Sequence, residues 1–117
     1  MAQHNELGKL GEEKAQEFLL EKGFKILKTN WRFGKEEIDV IAEKEDHLAI
    51  VEVKSRMSGA FGSPQEFVGI GKRRHLIRAA DAYVTQNSVE KDVHFHIIGI
   101  IFKPKLKFIF IPEAFYP

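Results

Sequence analysis

Cysteine is absent from this 117-residue chain. That excludes disulfides, thiolate zinc sites and cysteine nucleophiles. It fits a reducing compartment, so a cytoplasmic location is the expectation. Long hydrophobic runs are missing too. No apolar segment reaches the roughly 20 residues a membrane span needs, and the N-terminus is polar, without the apolar stretch of a secretory signal. An excess of one charge is also lacking, since 18 Lys and Arg face 17 Asp and Glu for a formal net charge of +1. Any nucleic-acid binding must then come from a local basic patch. There is no internal repeat or low-complexity segment. What is present is 44% hydrophobic and 30% charged residues, the make-up of one soluble globular domain over 1–117 with a real core.

The chemistry concentrates in two short apolar runs. Glu37-Ile38-Asp39 opens the first, which continues to Ala42, and Glu52-Val53-Lys54 closes the second, which starts at Leu48. Charges embedded in apolar strands are costly unless they find a counter-charge or a metal. Side chains alternate along a strand, so Glu52 and Lys54 share a face. The polar stretch Glu43 to His47 reads as a hairpin loop. An even loop, for example Lys44 to His47, sets Asp39 opposite Glu52 with Cβ atoms roughly 5 Å apart. Two carboxylates at that distance can hold one divalent cation, and hard oxygen ligands favour Mg²⁺ or Mn²⁺. An odd loop sends Asp39 to the other face. The plainer alternative is a pair of exposed acids with Lys54 as their salt-bridge partner.

Around this hairpin the pattern predicts a helix over Asn5 to Lys22, with Leu7, Leu10, Gly11, Ala15, Phe18 and Leu19 as its apolar stripe and Gly23 as its stop. Glu12 lies at the stripe's edge, where a solvated acid is the ordinary reading. A first strand runs from Phe24 to Phe33. Gly59 and Gly62 mark a loop. Ser63-Pro64-Gln65-Glu66 is a helix-start signal that Gly69 and Gly71 cut short. A longer helix follows from Gly71 to about Gln86, with Leu76, Ala79, Ala80, Tyr83 and Val84 on its apolar face. Val93 to Phe102 suits a central strand, Lys103-Pro104-Lys105 a turn, and Leu106 to Ile111 a last strand, before a tail from Pro112 to Pro117. A helix, three strands, a helix and two strands make an α/β sandwich around a mixed sheet. Trp31 and most phenylalanines read as core. His94 and His96 sit two apart on one strand with no third ligand nearby in sequence, and read as a polar or hydrogen-bonded face.

Asp39 followed by Glu52-x-Lys54 resembles the PD-(D/E)xK nuclease superfamily of restriction enzymes and Holliday-junction resolvases, although Ile38 replaces the proline. The wider chain is more specific. Gly8-x-x-Gly11-Glu12, Gly23-Phe24, Asn30-Trp31, Glu37 to Ala42, Val51 to Arg56 and Phe61-Gly62-Ser63-Pro64 occur in order and together look like the YraN family of small bacterial proteins. The resemblance covers nearly the whole chain. It implies a restriction-endonuclease-like sandwich, a mixed five-stranded sheet flanked by helices.

The resemblance also implies Asp39 and Glu52 as metal ligands, Lys54 as the catalytic lysine, and Glu12 as an additional acid near the metal. Glu37 becomes a supporting or extra ligand. Lys72, Arg73, Arg74 and Arg78 on the second helix, with Arg56 past the catalytic strand, become phosphate contacts, where a solvated basic helix face is the ordinary reading. The implied activity is Mg²⁺- or Mn²⁺-dependent hydrolysis of DNA, including branched or structured DNA, and a homodimer is compatible with action on two strands. The competing readings are a nucleic-acid-binding protein with little catalysis and a partner-binding protein whose carboxylates are structural. Two positions depart from the family pattern. Glu36 replaces a glycine before Glu37, and His96 stands where related chains carry aspartate, which alters the chemistry if that aspartate takes part in it.

Overall fold

A computed structural model describes residues 6–62 and 68–117. The helix-start signal at Ser63 to Glu66 and the first residue of the expected N-terminal helix, Asn5, lie outside these. The order of elements is α1 (Glu6–Glu21), β1 (Lys25–Phe33), β2 (Glu36–Glu43), β3 (His47–Arg56), α2 (Ile70–Asn87), β4 (Asp92–Ile101) and β5 (Lys107–Phe115). The five strands form one sheet in sequence order. β3 and β4 pair in parallel across the α2 crossover, and the other neighbours are antiparallel. This is the expected mixed five-stranded α/β sandwich.

Each helix covers one face. Gly11, Ala15 and Leu19, spaced by one helical turn, are the buried residues of α1. Ala15 and Leu19 pack with Val40, Ala42, Ala49, Val51, Ile98 and Ile100. Leu10 is 42% exposed, so the buried stripe is narrower than the apolar pattern suggests. Gly23 ends the helix with φ +93°. There the Phe24 amide donates to Leu19 O at 2.9 Å and the Gly23 amide to Leu20 O at 3.0 Å, the paired bonds of a glycine cap. On the other face, Leu76, Ala79, Ala80 and Tyr83 of α2 pack against Ile38, Ile41, Leu48, Ile50, Phe95 and Ile97. β3 and β4 are apolar on both sides because both sides are covered.

Gly69 is the N-cap of α2 and Gly71 lies in its first turn, so the helix begins one residue before the expected Gly71; the short turn expected ahead of it falls on residues outside those described. One expectation changes. Pro112 belongs to β5 and not to a tail, since the strand continues to Phe115. β5 is an edge strand, where a missing N–H need not break a ladder. Phe115 is buried and stacks on Phe95, while Tyr116 is 70% exposed.

Candidate active site

The hairpin register has the expected parity. Glu43 faces Leu48, and the β2–β3 ladder runs to Val40 opposite Val51. It then stops one step short of Asp39 and Glu52. Val40 and Ala42 pack on the α1 side, and Ile41 and Ile38 both on the α2 side. Strict alternation would put Ile38 with Val40, so β2 turns over at Asp39. On β1 the position between the pairs Thr29–Val40 and Trp31–Ile38 is Asn30, whose φ of +50° is left-handed. Asparagine is one of the few residues that tolerate this conformation. β2 and β3 fork beyond this point. The Val53 amide donates to Asp39 Oδ2 at 2.8 Å, replacing a ladder bond with a bond that orients the carboxylate.

A cavity of about 310 Å³ opens at the fork. It is lined by Leu7, Gly8, Glu12, Glu37, Asp39, Glu52, Val53, Lys54, Ser55 and Lys72. Asp39, Glu52, Lys54 and Glu12 are thus brought together, with Glu37 at the same cavity. Glu12 enters from α1 because Gly11 lets the helix touch β3. A methyl at Gly11 would lie 1.8 Å from Ser55 Oγ and 3.0 Å from Ser55 Cβ. Rotating the hydroxyl could relieve the first contact but not the second. Asn30 Nδ2 donates to Glu12 Oε1 at 3.0 Å, so the left-handed residue at the fork also holds the helix acid. Glu37 pairs with Arg32 at 3.6 Å.

Glu52 is 5% exposed. Its Oε2 lies 4.0 Å from Lys54 Nζ and 3.8 Å from Lys72 Nζ. Its Oε1 is buried without a hydrogen-bond partner, the one such side-chain atom among the described residues. Such an acceptor costs roughly 1–3 kcal/mol, more when charged. Burial, and then repulsion from Glu52, pushes Asp39 up to about 8. Burial also raises Glu52, against the pull of Lys72 and Lys54. A side-chain hydrogen bond joins the two carboxyls when Asp39 holds its proton; once that proton is lost, two carboxylates this close are not both tolerated readily without a cation. A buried, unpaired hard oxygen beside a second carboxylate fits a divalent ion of the Mg²⁺ or Mn²⁺ type.

Of the basic candidates, Lys72 lines the cavity. Arg73 is engaged elsewhere, its Nε donating to Val68 O at 3.1 Å and its guanidinium lying over Phe115. Arg78 pairs with Glu36 of β2, which stands where the resemblance led one to expect glycine. Arg74 is exposed on α2. Arg56 is exposed and lies over the Phe61 ring, 5.5 Å from its centroid.

Sequence reading missed a second cluster. His47, at the start of β3, joins His94 and His96 of β4, with ligand-capable atoms all within 4.8 Å. The Glu113 amide donates to His96 Nδ1 at 2.9 Å, so a neutral His96 carries its proton on Nε2. It donates to His47 Nε2 at 3.1 Å, and His47 in turn donates from Nδ1 to Asp46 Oδ1 at 2.9 Å. This is a closed chain of bonds. The His47 and His94 rings stack nearly parallel, 17° apart with centroids 4.0 Å apart. An ion must lie in the plane of each imidazole it binds, and parallel rings cannot share one. Burial, with His47, His94 and Lys44 nearby, pushes His96 down to about 4. The signal available in sequence was one strand carrying His94 and His96; the parallel pairing that delivers His47 was not.

Neither described helix is long and apolar enough to cross a membrane. Comparison with known proteins gives a consistent result. The model of a family described as "Uncharacterised protein family UPF0102" matches residues 11–100. A UPF0102 protein of Flavobacterium psychrophilum is 49% identical over 117 residues, covering 99% of this chain and 98% of that protein. One from Bacteroides thetaiotaomicron is 45% identical over 118 residues, covering 100% and 98%. One from Phocaeicola vulgatus is 43% identical, with the same coverage.

Proposed function

This chain belongs to the UPF0102 family, the YraN family of the sequence resemblance, and we propose that it is a divalent-metal-dependent nuclease hydrolysing phosphodiester bonds of DNA. The observation that carries the reading is the orphaned Oε1 of Glu52, buried in an oxygen-lined cavity next to Asp39 and two ammonium groups. A surface that only held phosphate would have no use for buried carboxylates facing an anion, and a structural carboxylate would have its oxygens paired.

Asp39 and Glu52 would hold the cation, with Glu12 on the α1 side. When bound, the ion supplies Lewis acidity toward the phosphoryl group. The residues do the rest. The Val53 amide fixes the plane of Asp39, and Asn30 restrains Glu12. Lys54 donates to the phosphoryl oxygens, where negative charge grows as water adds to phosphorus and the sugar oxygen departs. The water loses one proton and the departing oxygen gains one. Exposed Arg74 and Arg56 hold neighbouring phosphates without reading bases.

The test is cleavage of linear, flapped and four-way DNA with Mg²⁺ or Mn²⁺, by the wild type and by Glu52→Gln. Metal-dependent cleavage of at least one substrate, lost in the variant, is expected. A wild type inert on every substrate yet binding DNA would replace this reading with that of a binding module. Preference for the four-way substrate would assign branched DNA.

A further inference from the structure

Glu52 presents two unlike oxygens to the cavity. Oε1 is buried without a hydrogen-bond partner, whereas Oε2 has an ammonium group on each of two approaches, Lys54 from its own strand at 4.0 Å and Lys72 from α2 at 3.8 Å. The resemblance assigns only the first of these lysines to the chemistry. Lys72 is the nearer one. It sits in the first turn of α2, and that turn is clamped. Arg73, the next residue, donates to Val68 O at 3.1 Å and lies over Phe115, 5.6 Å from its ring centroid. The Arg73 amide also bonds Gly69 O at 3.0 Å. The backbone that carries Lys72 is therefore held against the core, while its side chain, 44% exposed, reaches in from the open side.

Phosphoryl-transfer sites with paired carboxylates often hold two cations about 3.5–4 Å apart. A second divalent ion taken through Oε2 would share that oxygen with both ammonium groups and meet their combined repulsion. We propose that Lys72 takes the place of a second cation, so that the Asp39–Glu52 site accepts one divalent ion, through the Oε1 side, and presents Lys72 as a fixed positive charge toward the substrate phosphate. Lys72 is thereby a positioning residue of the site and not one more member of a diffuse basic face. This rests on the metal-site reading above, and the experiment separates the two.

Mn²⁺ titration of the whole chain by calorimetry, without DNA, counts the ions and gives their affinity. One equivalent is expected for the wild type and for Lys72→Arg. Lys72→Met should bind two, with the first tighter by about tenfold, the order of effect of removing one like charge a few ångströms away. Lys105→Met, between β4 and β5 and outside the cavity, should match the wild type. Thermal melting of each variant establishes that it is folded. Two equivalents in the wild type, or one equivalent of unchanged affinity in Lys72→Met, would overturn the inference and leave the nuclease reading standing. Mn²⁺ binding that Glu52→Gln does not weaken would instead remove the metal site itself.

Discussion

β3 carries a polar cluster at each end, and the two are built on opposite logic. At its start, His47 closes a chain of hydrogen bonds from the Glu113 amide through His96 to Asp46. Every bond in that chain has a donor and an acceptor, and His94 joins it by stacking on His47. Further along, where β2 and β3 fork, Glu52 keeps a buried oxygen with no partner and Asp39 is driven toward its neutral form. Polar groups that satisfy one another hold a fold together. A buried acceptor left over beside a second carboxylate is the feature on which the proposed cation site rests. Ionisable residues in apolar strands do not distinguish these cases, but the hydrogen-bond ledger does.

The sharpest contrast should come from activity. Glu52→Gln should lower metal-dependent cleavage by about 10³-fold or more, the scale of losing several kcal/mol of charge stabilisation. His94→Ala, on β4 in the histidine cluster, should leave the rate within about twofold. Equal losses in a gel-based cleavage assay would erase the distinction between the clusters.

Stability without metal should respond to pH in opposite senses at the two ends. Asp39 in the folded protein sits near 8, above its ordinary 3.8. Its contribution is therefore full below about pH 4 and is lost as pH rises through 8. His96 sits near 4, below its ordinary 6.5, so its contribution is present above 6.5 and is lost as pH falls toward 4. Asp39→Asn should flatten the decline between pH 6.5 and 8 and raise metal-free stability at the alkaline end, on the order of a few kcal/mol for a group this buried. His96→Gln should leave stability rising as pH falls from 6.5 to 4, because in the wild type the loss at His96 offsets the gain at Asp39 in that window. Denaturant titrations across pH measure both. A steeper alkaline decline in Asp39→Asn would contradict the assignment.

The smallest effect concerns DNA. Neutralising Arg74 and Arg78 together should weaken binding to all sequences alike and reduce the salt slope by up to about two, less if Arg78 keeps its pairing with Glu36. Neutralising Lys22 and Lys44, which line the cavity of the histidine end, should leave the slope unchanged. The reverse result in salt-dependent binding curves would move the DNA surface to the other end of the sheet.

Much of this arrangement was legible in sequence because it depends on periodicity. Alternation puts Glu52 and Lys54 on one face, loop parity brings Asp39 toward them, and the helical spacing of Ala15 and Leu19 builds α1. What stayed hidden depends on breaks in periodicity and on distant pairing. The turnover of β2 at Asp39 is matched by a left-handed Asn30, and no pattern of apolar residues announces it. The parallel register of β3 and β4 brings together His47 and His96, 49 positions apart. Lys72 reads as one charge in a basic run, and only the clamped start of α2 turns it into the cavity. Gly11 could be seen to repeat a family motif; its physical reason, contact with Ser55, needed the packing of α1 on β3.

The central claim is that the fork end, and not the histidine end, is built to hold a divalent cation. Melting temperature at neutral pH with and without saturating Mn²⁺, for the wild type, Glu52→Gln and His96→Gln, tests it directly. At about 100 times the dissociation constant the ion should add about 2.7 kcal/mol, a rise of several degrees for a domain of this size. The account predicts that rise in the wild type and in His96→Gln and its loss in Glu52→Gln. A rise that survives in Glu52→Gln and disappears in His96→Gln would contradict it.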